Sequence, residues 1–159
     1  MPVGIRWLVT AGICALALSP VAPADAAVTI GAGSPTVLLS NFGPGRTASG
    51  TGSLTITALA TAWTLTVADT TGHAGKLAPA AAGCTGAESL TGNPLSVSVS
   101  GLLGSTTSSG TKTISASQQT VATGNGTDTL AASFSLPIGA TERMPTGCVF
   151  STTVTWTVQ

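Results

Sequence analysis

The stretch Gly147-Cys148-Val149-Phe150-Ser151-Thr152-Thr153-Val154-Thr155-Trp156-Thr157-Val158-Gln159 decides the fold. Cys148, Phe150, Val154, Trp156 and Val158 fall on even positions, and Ser151, Thr153, Thr155, Thr157 and Gln159 on odd ones. Thr152 is the one break on the apolar side. Successive side chains of a strand point to opposite faces, so this alternation describes a strand with one face in a core and one toward water. The sequence closes with this strand, and on that reading no anchor or sorting signal is expected beyond it.

The same period recurs upstream. Leu54 and Ile56 alternate with Thr55 and Thr57, and Trp63, Leu65 and Val67 with Thr64 and Thr66. Leu95, Val97 and Val99 alternate with serines, and Leu130, Ala132, Phe134 and Leu136 form a further inner face. A strand is also expected at 36–40, carrying Val37, Leu38 and Leu39, with a weaker one at 111–115 and a short one at 119–123. The inward phase changes from even to odd between Ala58 and Trp63, which requires a bulge, bend or turn at 59–62. The Gly- and Ser-rich segment 100–112 reads as a long exposed hairpin loop, 41–52 as another loop, and Asn125-Gly126 as a turn. No helical periodicity of useful length occurs. About seven or eight short antiparallel strands separated by turn residues predict an all-β fold, an immunoglobulin-like antiparallel β-sandwich with Greek-key connections. A small barrel is the alternative.

Residues 1–26 read as a secretory signal peptide. Arg6 supplies positive charge, 7–18 is an uncharged apolar run, and Ala24-Asp25-Ala26 is a small-x-small cleavage site. The run is shorter than the roughly 20 residues that span a bilayer. Residues 27–159 then form a single domain, long enough for a core of its own. Its cationic side chains are Arg46, Lys76, Lys112 and Arg143, and its anionic ones Asp69, Glu88, Asp128 and Glu142. So sparse and balanced a set makes no field to hold a polyanion, and nucleic acid is excluded as a partner. No membrane span is expected after signal cleavage. Cys14 leaves with the signal, and Cys84 and Cys148 remain as an even pair in an exported chain, which reads as one disulfide. Closing a loop of about 65 residues would contribute about 4 kcal/mol in the chain-entropy model.

Chemistry-bearing residues are few. His73 is the lone histidine, four residues after Asp69. Structural zinc takes four nitrogen or sulfur ligands, which this chain does not supply, so Asp69 is expected to close a turn through backbone amides. There is no Gly-x-Ser-x-Gly or Ser-x-x-Lys motif. Glu88 and Glu142 are the one carboxylate pair to consider for glycoside cleavage, and their contexts do not support it. We therefore expect no enzyme activity, no catalytic residue, no metal and no cofactor. Of the aromatic side chains, Trp63, Phe134, Phe150 and Trp156 fall on inner faces, and Phe42 lies in a loop as the one candidate for an exposed contact. Thr55, Thr57, Thr64, Thr66, Thr153, Thr155 and Thr157 are expected as rows on a solvated face.

Trp63-Thr64-Leu65 on an early strand and Phe150-x-x-x-Val154-Thr155-Trp156-x-Val158 on the last one together resemble the WxL-domain proteins of Gram-positive cell surfaces. The distal motif has Phe150 in place of tyrosine, and Val154 and Val158 in place of leucines. The matched positions Trp63, Leu65, Phe150, Trp156 and Val158 are expected in the core because alternation points them inward. The resemblance implies export and non-covalent attachment to peptidoglycan or another cell-surface polymer or protein, without catalysis. Besides a secreted, wall-associated binding module, the sequence leaves open a structural subunit of a fibre or coat and a secreted small-molecule carrier. The disulfide has a direct check: thiol titration of the denatured, unreduced exported protein should find no free cysteine, whereas two free thiols would remove the bridge.

Overall fold

The structure, a computed structural model, describes residues 5–10, 29–31, 37–58, 61–79, 84, 86–145 and 148–159. Among them there is no helix, and every strand pair is antiparallel. One five-stranded sheet contains β1 (Ile5–Thr10), β4 (Ala62–Asp69), β7 (Thr106–Ser108), β9 (Gln119–Asn125) and β12 (Thr153–Val158), in the order β1-β12-β4-β9-β7. The other contains β2 (Thr29–Gly31), β3 (Thr47–Thr57), β6 (Ser96–Gly101), β8 (Lys112–Thr113) and β10 (Asp128–Pro137), in the order β2-β3-β10-β6-β8. A short ribbon pairs β5 (Ala78–Pro79) with β11 (Phe150–Ser151). The elements outnumber the seven or eight expected because several are only two or three residues long.

The sheets face each other through their alternating apolar residues, the arrangement of a β-sandwich. Leu65, Val67, Val121 and Trp156 of one sheet and Ile56, Val97, Leu130 and Leu136 of the other are buried in one core. Trp156 stands edge-on to Phe134, with ring centroids 6.3 Å apart and planes at 79°. The expected core positions Trp63, Leu65, Phe150, Trp156 and Val158 are all buried. Trp63 packs over Gly124, its register partner on β9, where an added Cβ would stand 2.2 Å from the indole ring. Its Nε1 donates to the Gly126 carbonyl at 2.8 Å.

The phase change between Ala58 and Trp63 has a simple cause: β3 and β4 belong to opposite sheets. Leu59 and Ala60, within the expected irregularity, lie outside the described residues. The Asn125-Gly126 turn makes a second crossing between sheets, from β9 to β10, with Gly126 at φ 73°. The two crossings are tied together, because the Ala58 amide donates to Thr127 Oγ1 and that hydroxyl donates to the Ala58 carbonyl.

Several sequence expectations need correction. Thr47–Gly52 continues β3 instead of forming a loop, since it pairs with β10 as far as Pro137. Within 100–112, Thr106–Ser108 leaves the hairpin and joins β9 in the other sheet. The strand expected at 36–40 reduces to a bridge between Ser40 and Ser49. The threonine rows are not uniformly solvated: Thr66, Thr155 and Thr157 are buried, and Thr57 is exposed. Two of these hydroxyls find partners near the β4–β12 pair, Thr66 on the Thr157 carbonyl and Thr155 on the Thr70 hydroxyl.

Of the expected signal peptide, residues 1–4 and 11–26, with Cys14, lie outside the described residues. Residues 5–10 form β1, to which the sequence reading assigned no strand; β1 pairs with β12 from Ile5↔Val158 to Thr10↔Thr153. Cys84 and Cys148 are joined, with Cα atoms 5.2 Å apart. Such a bond forms and persists in an oxidising environment. Truncation of the central ring tests the fold: Trp156→Ala should cost about 3–5 kcal/mol, read as a lowered urea midpoint, and wild-type stability would contradict the placement of β12.

Candidate functional site

An apolar pocket of about 180 Å³ lies where the terminal strand is interrupted. Three parts of the chain line it: the segment 37–42, the segment 148–154, and the core side chains Leu77, Leu95 and Phe134. Each is held by a local device. Residues 37–39 cross directly over β3 at Gly50, where an added Cβ would stand 2.7 Å from both the Leu38 carbonyl oxygen and Val37 Cγ1. Ser40 and Ser49 then exchange backbone hydrogen bonds of 2.7 and 3.1 Å. Asn41, at φ 58°, turns the chain back and donates from its side chain to the Thr47 carbonyl at 3.2 Å.

On the opposite wall the disulfide fixes Cys148, and the Phe150↔Pro79 pairing fixes Phe150. The Phe42 ring meets Phe150 with centroids 5.7 Å apart and planes at 38°. Leu77 is set by Thr91, a fully buried threonine whose hydroxyl accepts from the Leu77 amide at 3.0 Å and donates to the Asn93 carbonyl at 2.9 Å. Leu38 and Val149 also line the pocket and are 82% and 57% exposed. Apolar side chains left in water beside an apolar cavity mark a place where burial is still to be gained.

The pocket has one notable polar group. Thr152 lines it and is 4% exposed, and its Oγ1 is buried without a hydrogen-bond partner. Buried hydroxyls are nearly always paired, and leaving one unpaired costs about 1–3 kcal/mol. Thr152 is the residue that interrupts the apolar alternation of the terminal strand, and it separates β11 from β12. The sequence pattern therefore contained the signal for this site, together with Phe42 and the out-of-phase Val149. The contribution of 37–39 and of Leu77 and Leu95 could not be read from spacing.

The chemistry-bearing residues singled out from the sequence serve turns. Asp69, 2% exposed, accepts from the Thr71 amide at 2.7 Å, the Thr71 hydroxyl at 2.6 Å and the Gly75 amide at 2.6 Å. Gly75 approaches so closely that a Cβ there would lie 2.3 Å from the Ile114 carbonyl oxygen, at φ +82°. His73 sits in the loop that Asp69 closes, and its Nδ1 is buried without a partner. Glu142 Oε1 accepts from the Gly139 amide at 2.7 Å, and Glu88 Oε1 from the Arg143 amide at 3.3 Å. Among the described residues, no three His, Cys, Asp or Glu side chains gather where they could hold a metal ion.

Sequence reasoning passed over Asp128, which is fully buried. Burial pushes its carboxyl upward, but hydrogen bonds from the Thr106 hydroxyl, the Leu103 and Thr129 amides and the Ser105 hydroxyl outweigh it and hold the group below its ordinary value of 3.8. The carboxylate thus anchors the 102–106 turn to the start of β10.

No family model, no curated protein and no solved structure matches this chain. A carboxyl with a depressed folded pKa stabilises the fold above its unfolded pKa and loses that contribution as pH falls through the folded value. Urea stability should therefore fall as pH drops below 3.8. Asp128→Asn should flatten part of that slope, and an unchanged profile would remove Asp128 from the acid-sensitive groups.

Proposed function

We propose that this is an exported, non-catalytic β-sandwich protein that binds a compact apolar molecule, or the apolar end of a larger one, in the pocket beside Thr152. The observation that carries the reading is the unpaired, buried Thr152 hydroxyl in an otherwise apolar cavity open at Leu38 and Val149. Ligand sites are typically apolar concavities with a few polar groups that fix orientation. A cavity of about 150 Å³ lined by aliphatic and aromatic side chains accepts benzene, so about 180 Å³ suits a single ring bearing one polar atom. Such a ligand would satisfy Thr152 Oγ1 and cover Phe42, Phe150 and Val149.

Export is supported by the leader-like residues 1–26 and by the Cys84–Cys148 bond. Cell-wall association rests on the WxL-like residues. All of these lie in the core, so a wall polymer would have to engage other surfaces. The pocket favours the carrier reading over direct recognition of a polar glycan, whose hydroxyl-rich surface would leave many groups unpaired against these side chains.

Phenol and benzene, titrated into the purified protein and followed by NMR, separate the contributions. Phenol should bind more tightly and shift resonances of Phe42, Val149 and Phe150. Thr152→Val should bring phenol down to the affinity of benzene while raising the unfolding free energy of the free protein by about 1 kcal/mol, read as a higher urea midpoint, since an apolar isostere removes the orphaned hydroxyl. Absence of shifts at millimolar probe, with saturable pelleting on washed Gram-positive cell walls, would replace the carrier with the wall-binding module.

A further inference from the structure

The edges of the two sheets are protected unequally. β2 and β7 are three residues long, and β8 has two, one of them Lys112. Very short edge strands and edge lysines discourage pairing with another chain. The remaining edge is β1, which lies entirely within residues 1–26. On the export reading that segment is removed, and this inference rests on that reading. Sheet order then makes β12 the outermost strand, six residues long and without Pro, Gly or charge. Its outward N–H and C=O groups form an unprotected template.

β1 shows what this edge accepts. It seats antiparallel on β12, with Ile5 opposite Val158, Trp7 opposite Trp156 and Val9 opposite Val154. The seated strand therefore reads aliphatic-x-Trp-x-Val. β12 itself reads Val154-Thr155-Trp156-Thr157-Val158, the same pattern. A second β12 laid antiparallel about a two-fold axis at Trp156 sets Trp156 opposite Trp156 and Val154 opposite Val158. Inner faces stay in phase, as register requires where one face is buried. A two-fold contact is self-complementary, and the uncharged strand brings no like charges together.

We propose that the processed protein forms a two-fold dimer by antiparallel pairing of β12 with β12 of a second copy, in the place that β1 occupies in the full chain. The test uses protein exported and processed by a secreting host, with its N-terminus read by mass spectrometry and its mass followed by sedimentation velocity. The expected result is cleavage near Ala27, a dimer, and conversion to peptide-bound monomer by a lysine-flanked synthetic peptide containing residues 5–10. In the same register position 155 faces position 157 of the second copy, so Thr155→Cys combined with Thr157→Cys should give a reducible covalent dimer on oxidation. A processed protein that stays monomeric overturns the proposal, as does a dimer that neither responds to the peptide nor cross-links, or an exported protein that retains residues 5–10. A processed monomer that still binds phenol would leave export and the pocket standing while removing the dimer.

Discussion

The contact of Trp156 with Phe134 across the two sheets is the interaction on which the rest of the structure depends. Aromatic side chains bury more surface than any others, and edge-on pairs add about 0.5–1.5 kcal/mol beyond that burial. Here the pair joins β12 to β10, each of which has a strand on either side in the full chain. β10 pairs with β3 along ten residue positions and with β6 along six, so its inner face is fixed by both neighbours. Once Phe134 is set in that sheet, Trp156 has one place to go, and β4 follows through its pairing with β12.

The pocket is a consequence of the same strand failing to remain regular. At Thr152 the terminal segment divides: β12 stays in its sheet, while β11 pairs away with β5. The divergence leaves a space that Phe42, Phe150 and the 37–39 segment surround without filling. A sandwich interior normally packs as densely as an organic crystal, so an apolar space of this size carries a stability cost. The orphaned Thr152 hydroxyl adds to that cost. Two unfavourable features meet at one place, walled by a disulfide and a backbone bridge, and the proposed ligand would offset both.

The few charged groups are used sparingly and locally. Asp69 and Asp128 are buried, and each gathers backbone amides and hydroxyls from one turn. Charged carboxylates make hydrogen bonds roughly twice as strong as neutral acceptors do, so one Asp can organise a loop with no ion pair. This lets a chain with 6% charged residues keep its connections ordered. It also leaves β12 without the charges that elsewhere discourage edge pairing.

The amino-acid sequence by itself determined the secondary-structure class, the inner face of each strong strand and the cysteine pair. Alternation is a local property, and Leu54, Trp63, Val97, Phe134 and Trp156 announce their direction whatever they pack against. It also marked Thr152 as out of pattern without saying why. Tertiary structure decided which strands share a sheet, because pairing depends on hydrogen bonds between segments as distant as Thr47 and Pro137. It decided that Thr155 and Thr157 are buried, because burial depends on what covers a face and not on the pattern along one strand. It alone assembled the pocket, because Val37, Leu77, Leu95 and Phe150 come from separate elements and meet only when the sheets close on each other.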